Sequence, residues 1–153
     1  AVDISPTKLE WAKRFGATHL VNATEGDPVE QIRELTGGYG VNYAFECVGD
    51  SKVLQQVLDC RDLAGVATMI GVPGQGSTIT LNLPSHFDRG GSLRVSWYGD
   101  CLPSRDFPML VDWYLKGELL LDELITERIP LEKVDHAFDL MHQGKTLRSV
   151  VTF

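Results

Sequence analysis

Ala1-Val2-Asp3-Ile4-Ser5-Pro6-Thr7-Lys8-Leu9 is the stretch on which the reading of the whole chain turns. Its apolar start ending in a carboxylate suits a short strand, and Ser5-Pro6 supplies an N-cap with proline at the first helical position, where a missing N–H costs nothing. Leu9, Ala12 and Phe15 follow at near-helical spacing as far as Gly16, so a short amphipathic helix is expected. Outward from there, Leu20-Val21 belongs to the next strand. Asp27-Pro28-Val29-Glu30 has the form of a capping box, with Val29, Ile32 and Leu35 as the inward stripe and Gly37-Gly38 as the stop.

The alternation continues. Val41 to Val48 is a mostly apolar strand closed by Gly49, Ser51 to Leu63 a helix carrying Leu54, Val57 and Leu58 on one face, and Val66 to Val72 a nearly continuous apolar run. Such runs suit parallel strands covered on both sides. Ile79 to Leu83 is a short β-prone stretch, Pro84 to Gly91 a turn or helical loop, and Leu93 to Tyr98 a strand. Phe107 to Leu115 reads as helix and Ile125 to Ile129 as extended. Val134 to Met141 reads as helix with Ala137, Phe138 and Met141 inward, and Leu147 to Phe153 as a final strand. Strand and helix in turn make a doubly wound, parallel α/β sheet the expected fold class.

Asp3 gives that sheet a chemical meaning. In a dinucleotide-binding βαβ unit an acidic residue ends the second strand and accepts hydrogen bonds from the adenosine ribose, after a first strand and a glycine-rich phosphate loop. No such loop precedes Asp3, so the expectation is a Rossmann-type sheet truncated before its first strand. Residues 1–130 would form the truncated dinucleotide-binding domain and residues 131–153 a C-terminal return toward a catalytic domain.

Composition narrows the function classes. The 153 residues are 43% apolar, enough for a single core, and carry a net charge of −7 with a pI near 5.0. That charge repels nucleic-acid backbones and anionic lipid, and no stretch has the length of a membrane span or the pattern of a signal peptide; a cytoplasmic protein is expected. Cys47, Cys60 and Cys101 are odd in number and widely spaced, so reduced thiols are expected, with Cys47 buried in its strand. His136 and His142, six residues apart on one helix, fall on different faces, and His19 and His86 are isolated. No metal site is expected within the chain.

Taken in order, Asp3 and Lys8, Phe45-Glu46-Cys47-Val48-Gly49, Ile70-Gly71-Val72-Pro73, Trp97-Tyr98-Gly99 and Leu147-Arg148-Ser149-Val150-Val151-Thr152-Phe153 resemble the cofactor domain and C-terminal return of zinc-dependent medium-chain alcohol dehydrogenases. Gly90-Gly91-Ser92-Leu93 and the segment from Ser96 to Asp106 are most similar to the group of mycothiol-dependent formaldehyde dehydrogenases and S-nitrosomycothiol reductases. The resemblance implies NAD as cofactor. Asp3 would chelate the ribose hydroxyls and repel the extra phosphate of NADP, and Lys8 would lie beside the adenosine.

By the same resemblance Val48 and Gly49, and one strand further Ile70, Gly71 and Val72, would line the cofactor's edge. Backbone groups near Ile70, Ser96 and Tyr98 would hold the carboxamide, and Arg148 would approach the pyrophosphate. Val72 and Trp97 would border the substrate pocket. Asp50 stands where a basic residue is more usual in the family. The reaction implied is hydride transfer between an alcohol, or the thiol adduct of formaldehyde, and NAD, with zinc supplied by the upstream part of a parent enzyme. No catalytic residue is expected in this chain, which alone would be inactive. A homodimer through Leu93 to Tyr98 is expected. Two other classes fit the residues: a noncatalytic dimerisation fragment, and a methyltransferase-like α/β domain, whose second strand also ends in a ribose-binding acid.

Overall fold

Seven strands and six helices alternate along the computed structural model, which describes residues 1–153. β1 (Val2–Asp3) leads through α1 (Pro6–Arg14) to β2 (Val21–Asn22), and α2 (Pro28–Leu35) leads on to β3 (Val41–Glu46). α3 (Ser51–Asp59) connects to β4 (Arg61–Met69), and α4 (Leu83–Arg89) to β5 (Ser92–Val95). After α5 (Pro103–Leu115), β6 (Ile125–Ile129) passes through α6 (Val134–His142) to β7 (Arg148–Val151). Every pairing is parallel: β1 with β2, β3 with β4 and β4 with β5, β6 with β7. Helical connections between parallel strands make this the α/β arrangement expected from the sequence.

Local chemistry sets the helix starts. Ser5 Oγ accepts the Lys8 N–H at 3.4 Å with Pro6 opening α1, and Asp27 accepts the Val29 N–H at 2.8 Å with Pro28 opening α2. Asp50, whose role the sequence left open, caps α3 by accepting from Lys52 and Val53 at 2.8 and 3.0 Å. The core of this region lies between α3 and the sheet. Leu54, Val57 and Leu58 pack with Ala44 of β3, Ala67 of β4 and Cys60, and Ala67 is wholly inaccessible. The side chains of β3 alternate: Ala44 and Glu46 point inward, while Tyr43 and Phe45 are exposed.

Several expectations need correction. The helix from Ser51 ends at Asp59, because the chain at Arg61 already pairs with Val41; the register then jumps to Tyr43 with Val66, so residues 62–65 bulge out through a left-handed Ala64. Ile79 to Leu83 form no strand, having no partner; Asn82 instead caps α4, which opens at Leu83. Regular pairing of the strand expected from Leu93 to Tyr98 covers Ser92–Val95, and the chain then turns at Tyr98. Cys47 is exposed because β3 ends one residue before it; Cys60 is the buried thiol. Leu35 of α2 is half exposed.

The chain divides into two compact units, Ala1–Cys101 and Leu102–Phe153. In the second, β6 and β7 pair across the position between residues 130 and 131. Within this unit α6 buries Ala137 but leaves Phe138 and Met141 about half exposed, contrary to expectation, since two short strands offer too narrow a face to cover them.

Candidate functional site

β3 and β4 end side by side, with Glu46 opposite Met69. Beyond that point the backbone carbonyl of Glu46 accepts the N–H groups of both Ile70 and Gly71, at 2.7 and 3.0 Å. The side chain of the same residue, 1% exposed, turns back on its own loop: Oε1 accepts the Val48 and Gly49 N–H groups, each at 2.7 Å. The two loops therefore meet backbone to backbone. A Cβ on Gly49, which sits at φ 85°, would overlap the Val72 carbonyl, and a Cβ on Gly71 would overlap the Gly49 nitrogen and Glu46 Oε2. Glycine is required at both places, by close approach at each and by positive φ at Gly49.

On the neighbouring strand Ser96 donates its N–H to Met69 O at 2.9 Å, which extends the β4–β5 pairing beyond Val95. Trp97 and Tyr98 follow, both largely exposed, their rings edge to face with centroids 5.2 Å apart. Tyr98, Gly99 and Asp100 are all left-handed, at φ 49°, 70° and 49°. For the two residues with a Cβ this costs about 1–2 kcal/mol each. Val72 is exposed on the adjoining loop.

Asp3 ends β1 in the other ladder of this unit. Its Oδ1 accepts the Ser5 N–H at 2.8 Å, so the carboxylate is held by a local turn. Lys8, partly buried, lies in the first turn of α1. Arg148 belongs to the second unit, where it opens β7 with an exposed side chain. Of the residues expected to form the site, Val48, Gly49, Ile70, Gly71 and Val72 are thus in direct contact through Glu46 and the glycines, and Ser96 is tied to them through Met69. Asp3, like them, stands at the carboxyl end of its strand.

Two residues without an assigned role prove to organise the sheet. Glu46 is one. Arg61 is the other: 2% exposed, it donates to the carbonyls of Leu58, Gly65, Gly90 and Ser92 at 2.8–3.5 Å, with no carboxylate beside it. Glu46 was visible as a charged residue set in an apolar run, a pattern that calls for a buried partner, whereas Arg61, between Asp59 and Asp62, carried no such signal. Beside Glu46, the Cys47 thiol titrates above its ordinary value, through lost solvation and then the Glu46 charge.

The carboxyl ends of parallel strands are where open α/β sheets bind nucleotides, and here the glycine contacts let the two loops close on each other backbone to backbone. The residues present there fit the adenosine and nicotinamide halves of a dinucleotide. The larger cleft, about 570 Å³, lies at the opposite edge. Its arginines are spent on carbonyls, Arg33 on Gly38 and Asp59 and Arg89 on Arg61, and Asp62 and Asp88 would repel a phosphate. No group of three or more His, Cys, Asp or Glu side chains could hold a metal ion, so the residues present do not fit a zinc centre.

Residues 1–116 match the family described as zinc-binding dehydrogenase. The chain is 38% identical to alcohol dehydrogenase class-3 of Cereibacter sphaeroides, over 99% of this chain and 42% of that protein. To S-(hydroxymethyl)glutathione dehydrogenase of Haemophilus influenzae it is 33% identical, over 100% of this chain and 41% of that one. Among solved structures, an alcohol dehydrogenase zinc-binding domain protein from Burkholderia ambifaria superposes with a TM-score of 0.93 at 36% identity, over 100% of this chain and 41% of the other. The chain therefore spans about two fifths of the length of these relatives. By its match over residues 1–116, supported by these relatives, it belongs to the zinc-binding dehydrogenase family.

Proposed function

We infer that the chain is the NAD-binding portion of a zinc-dependent alcohol or formaldehyde dehydrogenase, which moves hydride between an alcohol or thiol hemiacetal and NAD. The observation that carries this is the glycine-lined carboxyl edge, where Gly49 and Gly71 leave no side chain between two loops held by Glu46. Asp3 selects NAD over NADP by charge, since its carboxylate would face the additional phosphate. Lys8 and Arg148 are the cationic contacts to the adenosine and pyrophosphate, and main-chain groups at Ile70, Ser96 and Tyr98 hold the carboxamide. Val72 and Trp97 border the substrate, an alcohol, an aldehyde or a thiol adduct. The similarity to class-3 and S-(hydroxymethyl)glutathione dehydrogenases supports a thiol adduct, and the segment from Ser96 to Asp106 favours mycothiol as the thiol.

The Lewis-acid chemistry of such a reaction would come from a zinc ion held by residues of another part of the parent enzyme. The chain by itself transfers no hydride. Residues 1–130 serve the cofactor and residues 131–153 return toward the catalytic part. NADH titration of the full-length protein tests this: saturable binding in the micromolar range, with NADPH at least tenfold weaker, is expected, and equal affinities would remove Asp3 from its role.

The partner surface in this reading is the open edge of β5, a second copy of the chain pairing there. Because Ser96 donates inward to Met69, alternation turns the Val95 N–H outward to the free edge. Val95→Pro should therefore give monomers in sedimentation velocity without disturbing β4, and an unchanged dimer would place the interface elsewhere.

A further inference from the structure

We propose that Glu46 is a positioning residue for the cofactor, setting the distance between the two loops on which the nucleotide lies; this rests on the NAD-binding reading above. Four N–H groups converge on this one residue: Ile70 and Gly71 on its carbonyl, Val48 and Gly49 on its Oε1. They come from the two loops that carry five of the cofactor contacts.

The side chain is buried, at 1% exposure, with no cation beside it, and Oε2 has no hydrogen-bond partner in the protein. A carboxylate so placed is a poor way to fill a core, because half of its hydrogen-bonding capacity is unused. Its arrangement is explained by geometry instead. Oε1 fixes the tight turn at Gly49 (φ 85°), and Oε2 lies 2.7 Å from where a Cβ on Gly71 would be. The carboxylate thereby fixes the first loop in the shape that brings Gly49 against the Val72 carbonyl, while the main-chain carbonyl ties the second loop, and the cleft of about 250 Å³ that the residue helps to line includes Gly49, Asp50, Ser51 and Pro73 from both.

The length of the side chain is the critical quantity. Glu46→Gln keeps an oxygen at the position of Oε1 and preserves both turn hydrogen bonds; Glu46→Asp is one methylene too short to reach both N–H groups; Glu46→Ala removes the acceptor. Each variant is prepared in the full-length protein and read by NADH fluorescence titration, by KM for NAD and for the alcohol separately, and by amide exchange at Val48 and Gly49. Expected are affinity within about twofold of the wild type for Gln, and at least tenfold weaker NADH binding for Asp and Ala, with KM for NAD raised and that for the alcohol unchanged. If Ala fails to fold, Asp carries the comparison. Folded Asp or Ala protein that binds NADH as tightly as the wild type would overturn the proposal. Wild-type protein that binds no NADH, while exchange at Val48 and Gly49 still accelerates in the Asp variant, would instead overturn the cofactor reading and with it the role given to Glu46.

Discussion

The two edges of the β3–β4–β5 sheet are organised by opposite charges. At the carboxyl edge a buried glutamate gathers N–H donors, and at the amino edge a buried arginine gathers carbonyl acceptors. Each solves the same difficulty, the unpaired backbone groups left where parallel strands stop. The outcomes differ. Arg61, with Arg33 and Arg89 around it, uses its donors on main-chain oxygens of three segments and closes that edge as structure. Glu46 draws N–H groups of two loops together, and their glycines pack between them while Val48 and Val72 face outward.

The largest expected effect breaks the closed edge. Arg61→Met leaves the carbonyls it served without their donor and should cost about 3 kcal/mol in urea unfolding, with NADH affinity of the folded protein unchanged. Reduced affinity at full folding would show that the two edges are not independent. At the open edge, Gly49→Ala puts a Cβ into the Val72 carbonyl at a positive φ; a loss of about 2 kcal/mol is expected, together with a fall in NADH binding. Asp50→Ala removes the cap that joins the same turn to α3 and should cost about 1 kcal/mol by thermal unfolding.

The smallest effect lies beside Arg61 at the amino edge, at Cys60. Burial holds its thiol above the ordinary 9.0, so the folded state favours the protonated form. Its contribution to stability is complete below pH 9.0 and is lost as pH rises through the elevated folded value. Cys60→Ala should flatten the alkaline limb of the unfolding profile; an identical limb in the variant would assign the loss to other groups.

How much of this the sequence carried follows from where the information sits. Caps at Ser5 and Asp27 and the Leu54, Val57, Leu58 face of α3 are local patterns, and the parallel fold follows from their alternation with apolar runs. The loop residues from Val48 to Gly49 and from Ile70 to Val72 were legible as strand ends. Their contact was not, because nothing in the spacing says that Gly49 meets Val72 or that a glutamate ties both. The bulge after Arg61 was hidden for the same reason: its cause is a long-range register shift against Val41. Cys47 was misplaced by a single residue, since side chains change face at every step of a strand.

The central claim is that the carboxyl edge, and not the larger cleft at the amino edge, receives the dinucleotide. Hydrogen exchange of the full-length protein with and without saturating NADH tests it most directly. The account predicts added protection in residues 46–50 and 70–73 and none in residues 61–65 and 85–89, which line the larger cleft; protection appearing at the second pair of segments, or at neither, would contradict it.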